Sequence, residues 1–523
     1  MTAADGGCVL LTETVAEVLA RQARDNGGRR AVIWETEPGK LAWYTYAELA
    51  ARANAAAHTL KDLPVGERVA VWGRNSPDWV LLEYACALRG LILVGVNTAW
   101  TDAEVTSALE LAEPAVLFAG ADSRGLPVAE RAARLSGGIP VRDLGALHAQ
   151  PDAPPATVSV DPDAPILIQF TSGTTGRAKG AVLTHRNVLN AAYLRQLRSP
   201  AVDGANCNSV PFHHVGGSVS IILGALTTGN AFIVLDKFDP VQMVRLLPLA
   251  GVTNFGGVPI MVERILDQPG AREAARGVSV VGLGGADISP QLVARVRDEL
   301  DAVVMTTYAQ SECPLITNSE AGDTPEQVAT TAGRPVEATE VRIVDPVTGA
   351  VMRPGETGEI QVRSPVVMAG YFRMPERTAE VLPGDGFLRT GDLGSLDAAG
   401  YLTIHGRIRE VIIRGGENIY PAEVEAALSE HPQVVSSAVV GIDDPAWGEV
   451  VGASVLIKGD PVAPADLEAF LAQRIAHFKI PRIWRFVAEF PMTASGKIRR
   501  VIVKEEMNGA RAATSGQTGT LRS

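Results

Sequence analysis

From Arg68 to Thr307, short apolar runs keep returning between helix-like stretches: Arg68-Val-Ala-Val-Trp72, Leu91 to Val96, Ile166 to Phe170, Phe232 to Leu235, Val278 to Leu283 and Val303 to Thr307. Runs that are apolar throughout, with no polar alternation, belong to strands covered on both faces, and the intervening helices supply the cover. The pattern predicts an α/β fold with largely parallel sheets. Two helices are marked by their ends. Thr45 and Glu48 form a T-x-x-E capping box that opens an alanine-rich helix to about Leu60, and another helix is expected near Asp78 to Arg89. At 523 residues the chain exceeds what one hydrophobic core holds, so two or more domains are required.

After about Val336 the pattern changes. Glu340 to Val344, Gly358 to Val362 and Tyr401 to His405 alternate apolar with polar residues, as half-buried strands do. Beyond about Arg407 lies a compact segment with strands near Val411 to Ile413 and Ala438 to Val440, and helices near Pro421 to Ser429 and Ala465 to Ile475. This reads as a small α+β domain. From about Asn508 the chain is rich in Gly, Ser, Thr and Ala with little to bury, and a disordered tail is expected over 508–523.

Bulk properties exclude several classes. The net charge of −12 disfavours nonspecific nucleic-acid binding. The longest apolar runs, such as Ile221 to Leu226, fall far short of the roughly 20 residues of a membrane span. No basic patch followed by an apolar core marks a signal peptide. The four cysteines, Cys8, Cys86, Cys207 and Cys313, lack disulfide-framework or zinc spacing and suit a reducing, cytoplasmic setting.

The segment Ile166 to Gly180 runs a buried strand into a loop of hydroxyls and glycines that ends at Lys179. Glycines let backbone N–H groups approach phosphate oxygens, hydroxyls can donate to them, and Lys179 can supply charge. Gly180 follows the lysine where a Walker-type loop has serine or threonine, so that loop is not implied. A polar connecting loop is the competing reading of this segment taken alone. The full string Thr171-Ser-Gly-Thr-Thr-Gly176 with Lys179-Gly180 resembles the phosphate loop of the adenylate-forming superfamily, which includes acyl-CoA synthetases, luciferases and peptide-synthetase adenylation domains. Ala178 departs from the proline often found there.

Further motifs occur in the family's order. Pro211-Phe-His-His214 resembles the segment bordering the acyl-carboxylate entrance, with His213 and His214 as candidates for substrate contact. Gly284-Gly285-Ala286-Asp287 resembles the turn that packs against adenine. Tyr308-Ala-Gln-Ser-Glu312 resembles Tyr-Gly-x-Thr-Glu; the resemblance implies Tyr308 on adenine, Ser311 on the adenylate phosphate and Glu312 on Mg²⁺, together with Thr174. Thr390-Gly-Asp392 matches the ribose-binding aspartate, and Arg407 would contact ribose or phosphate. Arg409 stands at the hinge, Gly415 and Gly416 would line the thiol tunnel, and Pro491 to Arg499 matches the motif carrying the adenylation lysine, here Lys497.

The resemblance implies a large N-terminal domain, 1–408, of stacked sheets with packed helices plus a β-rich subdomain, and a small mobile α+β domain, 409–507. It implies an ATP-, Mg²⁺- and coenzyme A-dependent acyl-CoA ligase with Lys497, Glu312, Ser311 and His214 at the chemistry. Thr171, Ser172, Gly173, Thr174, Thr175, Gly176 and Lys179 would hold the nucleotide phosphates. Residues expected along the acid pocket are His213, Val215, Gly216, Gly217, Phe255, Val258, Ala309, Pro314 and Leu315, small or apolar positions that suit an aliphatic, alicyclic or aryl acid, with the glycines leaving room for a ring. No acid follows Phe212 to pair an α-ammonium, which disfavours amino acids.

Thr307 and Ala309 replace glycines common in the family and add bulk beside the adenylate; Ser311 replaces threonine and Arg409 the usual Asp or Lys. Alternatives are a ligase competent mainly in thiolation of supplied acyl-AMP, an acyl-AMP ligase loading a carrier-protein phosphopantetheine, and a non-catalytic nucleotide- or acyl-binding homologue. A homodimer is compatible with the reading. Lys497→Ala is expected to lower adenylate formation about a hundredfold or more while sparing thiolation of supplied acyl-AMP. Single-turnover assays of the two half-reactions check this, and equal loss of both overturns the assignment.

Overall fold

The computed structural model describes residues 2–3, 9–122, 124–147, 156–171, 179–200, 203–285, 288–415, 417–492 and 498–517, with side chains from 9 through 509. The chain divides into two compact units: Met1–Val341 with Val362–Arg389, and Arg342–Gln361 with Thr390–Ser523. The β-rich segment after Val336 therefore falls largely with the C-terminal unit, because its strands pair with one another across residues 340–407. The sequence reading places the boundary at 408/409 instead.

In the first unit, a seven-stranded sheet has the order Gly370–Tyr371, Lys179–Thr184, Pro165–Thr171, Ile92–Val96, Arg68–Trp72, Val116–Ala119, Val141–Asp143. A nine-stranded sheet runs Arg334–Pro335, Cys313–Asn318, Val303–Gln310, Val280–Gly284, Val252–Gly257, Ala205–Asn208, Ala231–Val234, Arg30–Glu37, Lys40–Thr45. Their interior ladders are parallel and antiparallel pairs occur at the edges, as the apolar runs required. Trp72, Val94, Leu117 and Ile168 form one core, and Phe255, Val281, Leu283, Val293 and Val304 another.

The ends of helices follow local chemistry. Thr45 caps Tyr46–His58, its N–H donating to Glu48 Oε2 at 2.8 Å while Glu48 N–H donates back to Thr45 Oγ1 at 3.3 Å. Pro77–Arg89 starts on Ser76 and stops on left-handed Gly90. Gly216–Leu223 is a π-helix, which no sequence pattern announced.

The second unit holds a four-stranded sheet, Glu340–Val344, Gly358–Arg363, Leu388–Leu396, Leu402–Arg407, and a five-stranded one built on the long hairpin Val434–Asp444 with Gly448–Ile457. Helices Pro421–Ser429 and Pro464–Leu471 cover that sheet through Val424, Leu428, Leu467 and Leu471. Helix Arg500–Gln517 continues past Asn508, correcting the expected start of the tail. Ala510, Arg511, Ala512 and Ala513 are good helix formers that prolong it; residues 518–523 lie outside the described ones.

Glu83, on Pro77–Arg89, is 1% exposed, and among the described residues neither carboxylate oxygen has a hydrogen-bond partner. Burial raises its pKa well above the ordinary glutamate value, so the folded chain keeps a proton that the unfolded chain releases above about pH 4.3. Stability contributed at this position therefore falls as pH rises through that window. Glu83→Leu is expected to stabilise the fold by about 1–3 kcal/mol at pH 8 and by less at pH 5. Thermal midpoints at the two pH values check this, and an equal or opposite shift overturns it.

Candidate functional site

The two ends of the phosphate-loop motif lie on paired strands. Lys179 pairs directly with Thr171 and Gly180 with Phe170, so the two ends of the motif are held side by side. Ser172, Gly173, Thr174, Thr175 and Gly176 lie outside the described residues, as do Ala286, Gly416 and Lys497. The next strand, Gly370–Tyr371, pairs with the same hairpin, with Tyr371 opposite Ala181.

That pairing builds a three-residue cluster. Lys179 Nζ stands 5.2 Å from the centre of the Tyr371 ring, and Tyr371 O–H donates to Glu312 Oε1 at 2.7 Å. Glu312 occupies the turn between Val303–Gln310 and Cys313–Asn318, and its backbone carbonyl accepts from Met368 N–H at 2.8 Å. Burial, followed by the adjacent Glu312 charge and hydrogen bond, pushes the Tyr371 pKa up, so it stays a donor. Sequence reasoning missed Tyr371; only an antiparallel pairing across nearly two hundred residues delivers it.

Within the hairpin, Tyr308 is 8% exposed and pairs with Thr317. The register shifts between Tyr308 and Gln310, which places exposed Ala309 at a bulge. The Thr307 hydroxyl donates to Asn318 Oδ1 at 2.7 Å, so the extra bulk relative to glycine is tied across the hairpin. Thr307 lies beside Gly284, where an added Cβ would come 3.3 Å from the Thr307 carbonyl oxygen. Gly285 follows with φ +79° and turns the chain out of the sheet. Ser311 sits beside Glu312 in the turn.

The histidine segment is pinned by one amide. Asn75 Nδ2 donates to the carbonyls of Val210 and Leu235 at 3.0 Å each, and its Oδ1 accepts from Phe212 N–H at 2.8 Å. The Phe212 ring packs against Trp79 and Phe232, which leaves the following histidines to be presented. Burial, then the neighbouring His214, pushes His213 down to about 3, so it is a neutral imidazole at physiological pH. His214 Nδ1 accepts from Gly216 N–H at 3.1 Å, which assigns the proton of its neutral form to Nε2.

Two pocket expectations change. A Cβ on Gly217 would lie 2.3 Å from the Pro211 carbonyl oxygen, so its missing side chain is used by close backbone approach and not as room for a ring; at Gly216 a Cβ would meet the Val210 side chain, Cγ1, at 2.9 Å. Phe255 is fully buried among Val281, Leu283 and Val304, because strand alternation directs it to the core face. Val215, Val258, Pro314 and Leu315 are buried apolar residues.

In the second unit, Asp392 is opposite Arg407 across a hairpin, with Arg407 Nε 3.3 Å from Asp392 Oδ1. Asp392 is 5% exposed, and its N–H donates to Thr390 Oγ1 at 3.1 Å. Arg409 lies in the short helical turn Ile408–Glu410. Gly415 has φ +60° and donates its N–H to the Trp447 carbonyl at 2.8 Å; a Cβ there would meet the Trp447 ring at 2.7 Å. Among the described residues no group of three or more His, Cys, Asp and Glu could hold a metal ion. A single tethered carboxylate such as Glu312 fits Mg²⁺, which keeps waters and substrate phosphate oxygens as its remaining ligands.

Two family models match, the AMP-binding enzyme over residues 19–372 and the AMP-binding enzyme C-terminal domain over 423–497. A 3-(7a-methyl-1,5-dioxo-octahydro-1H-inden-4-yl)propanoyl:CoA ligase from Rhodococcus jostii is 34% identical, covering 94% of this chain and 98% of its own. A feruloyl-CoA synthase from Amycolatopsis is 35% identical over 87% of this chain and 92% of its own. The crystal structure of ATP-bound MatB from Rhodopseudomonas palustris superposes with a TM-score of 0.85 at 30% identity, covering 95% of this chain and 99% of that one. With that coverage across both segments, the chain belongs to the AMP-binding enzyme family, the adenylate-forming superfamily, among its acyl-CoA ligases.

Proposed function

We propose that this ATP-dependent, AMP-forming acid–thiol ligase activates a carboxylic acid lacking an amino group and transfers it to coenzyme A. ATP, Mg²⁺ and coenzyme A are the cofactors of such a ligase. The observation that carries the substrate class is the segment after Phe212. It offers neutral His213 where an α-ammonium would need a carboxylate, and buried Val215 follows. Two relatives, by name, make thioesters of ring-bearing acids, which supports an alicyclic or aryl acid here.

In the first step a carboxylate oxygen attacks the α-phosphorus of ATP and the bond to pyrophosphate breaks. In the second, the thiol sulfur attacks the acyl carbon and AMP leaves. Positioning and charge neutralisation carry most of such catalysis. Lys497 offsets the charge growing on the α-phosphate, and Asp392 accepts from the ribose hydroxyls beside Arg407. Tyr308 stacks on adenine, Ser311 donates to the phosphate, and His214 borders the acid. Bound at Glu312, Mg²⁺ supplies charge neutralisation to the phosphates. The C-terminal segment turns about Arg409 between the steps, bringing Gly415 to the thiol side. Three buried free cysteines, Cys86, Cys207 and Cys313, suit a reducing cytoplasm.

Incubation with Mg·ATP, coenzyme A and mixed alkyl, alicyclic and aryl acids, read by mass spectrometry, is expected to yield acyl-AMP and acyl-CoA. Acyl-CoA formed only from preformed acyl-AMP would overturn adenylation; transfer only to a carrier protein would overturn the choice of thiol. Tyr371→Phe is expected to slow adenylate formation about tenfold, the worth of one hydrogen bond to a charged group. Its effect should be larger at limiting Mg²⁺ and absent from thiolation of supplied acyl-AMP; equal rates for both proteins would remove Tyr371 from the site.

A further inference from the structure

Two residues on one face of the seven-stranded sheet hold the histidine segment in place. Val94 and Ile168 pair in register and belong to the core on one face, so Gly95 and Gln169, the next residues along the two strands, face the other side. A Cβ on Gly95 would lie 3.0 Å from the His213 Cα, which shows how closely that segment approaches the sheet. Gln169 is 3% exposed, and its Nε2 donates at 3.2 Å to the Oγ of Ser218, which is buried as well. A buried amide and a buried hydroxyl are costly unless paired, so this bond fixes their separation. Gln169 lies two residues before Thr171, where the phosphate-loop motif begins and where Lys179 pairs.

Ser218 stands in the first turn of the π-helix Gly216–Leu223. The His214 carbonyl accepts from Gly217 N–H at 2.9 Å, from Ser218 N–H at 3.0 Å and from the Ser218 hydroxyl at 3.4 Å. The His214 ring accepts from Gly216 N–H at 3.1 Å. One turn of helix therefore holds both the main chain and the imidazole of His214. The Ser218 hydroxyl serves in both directions, accepting from Gln169 and donating to His214. π-Turns are rare and recur at functional sites. The hydrogen bonds Gln169–Ser218–His214 thus run unbroken from the strand that leads into the phosphate loop to the histidine segment.

Building on the ligase reading, in which His214 borders the acid, we infer that Gln169 and Ser218 are positioning residues that set the acid's carboxylate against the α-phosphate of ATP. Both act through His214. Gln169 ties Ser218 to the nucleotide strand, and Ser218 ties the first π-turn to His214, so the acid entrance and the phosphate loop keep one spacing. A misplacement of about 1 Å costs such a reaction about a hundredfold. Once the bond is lost, the π-turn shifts and the carboxylate meets the phosphate in poor geometry, while the nucleotide keeps its own contacts.

The test uses the full chain with Mg·ATP and hexanoate, cyclohexanecarboxylate or 3-phenylpropanoate, whichever the wild-type protein adenylates fastest. Pyrophosphate release gives kcat and KM for the acid, and equilibrium binding of a non-hydrolysable ATP analogue reads the nucleotide site by itself. Gln169→Met and Ser218→Ala should each lower kcat/KM for the acid about tenfold or more, with analogue binding kept within about twofold. The double variant should be no worse than the poorer single one, because both changes break the same bond. In a His214→Ala background, Ser218→Ala should cost nothing further. An unchanged kcat/KM in Ser218→Ala, losses that multiply, a Ser218→Ala penalty undiminished without His214, or equally weakened analogue binding overturns the inference and leaves the ligase standing. Adenylate from none of the acids in wild type would overturn the ligase reading and this inference with it. Ser218→Ala removes a single oxygen and decides the matter even where Gln169→Met fails to fold.

Discussion

In-register parallel pairing of three neighbouring strands governs what the first unit can do. Gly256 pairs with Gly282 and Gly282 with Met305, and Gly284 ends level with Thr307. Gly257, Gly284 and Tyr308 consequently emerge at one edge. Alternation sends Phe255, Val281, Leu283 and Val304 together into the core below the sheet. A slip of one residue in any strand would exchange those two sets, so core burial holds the edge residues in place as firmly as it holds the fold.

Polar groups at that edge are positioned by partners on other strands and segments, near or far along the chain. Asn75 fixes the histidine loop with three hydrogen bonds to backbone, Tyr371 holds the Glu312 carboxylate, and Asn318 takes the Thr307 hydroxyl. Each is a neutral donor or acceptor set against a buried or charged group, which fixes geometry without adding net charge where a polyanionic nucleotide would have to sit. Preorganisation of this kind costs nothing at the moment of reaction.

Glycine serves two different ends here. Gly217, and Gly95 against His213 at 3.0 Å, permit close backbone contact, and any side chain there would displace a neighbouring segment. At Gly282, by contrast, a Cβ would lie 3.6 Å from Arg195 Nη2, an ordinary contact. Identical letters in the sequence thus stand for obligatory close approach in one place and for ordinary contact in another, and only the neighbours distinguish them.

The sequence by itself determined the α/β class, the parallel sheets, the capping box at Thr45 and Glu48, and helix Pro421–Ser429, all of them products of periodicity and end chemistry within a dozen residues. Family membership was legible too, because its motifs are contiguous strings. The tertiary structure alone decided that Tyr371 meets Glu312, that Phe255 turns to the core, and that Arg195 lies over Gly282. Most of these depend on strand register or helix placement between segments tens to hundreds of residues apart. Local patterns carry no record of that register; it is fixed only when whole sheets bury their apolar faces at once.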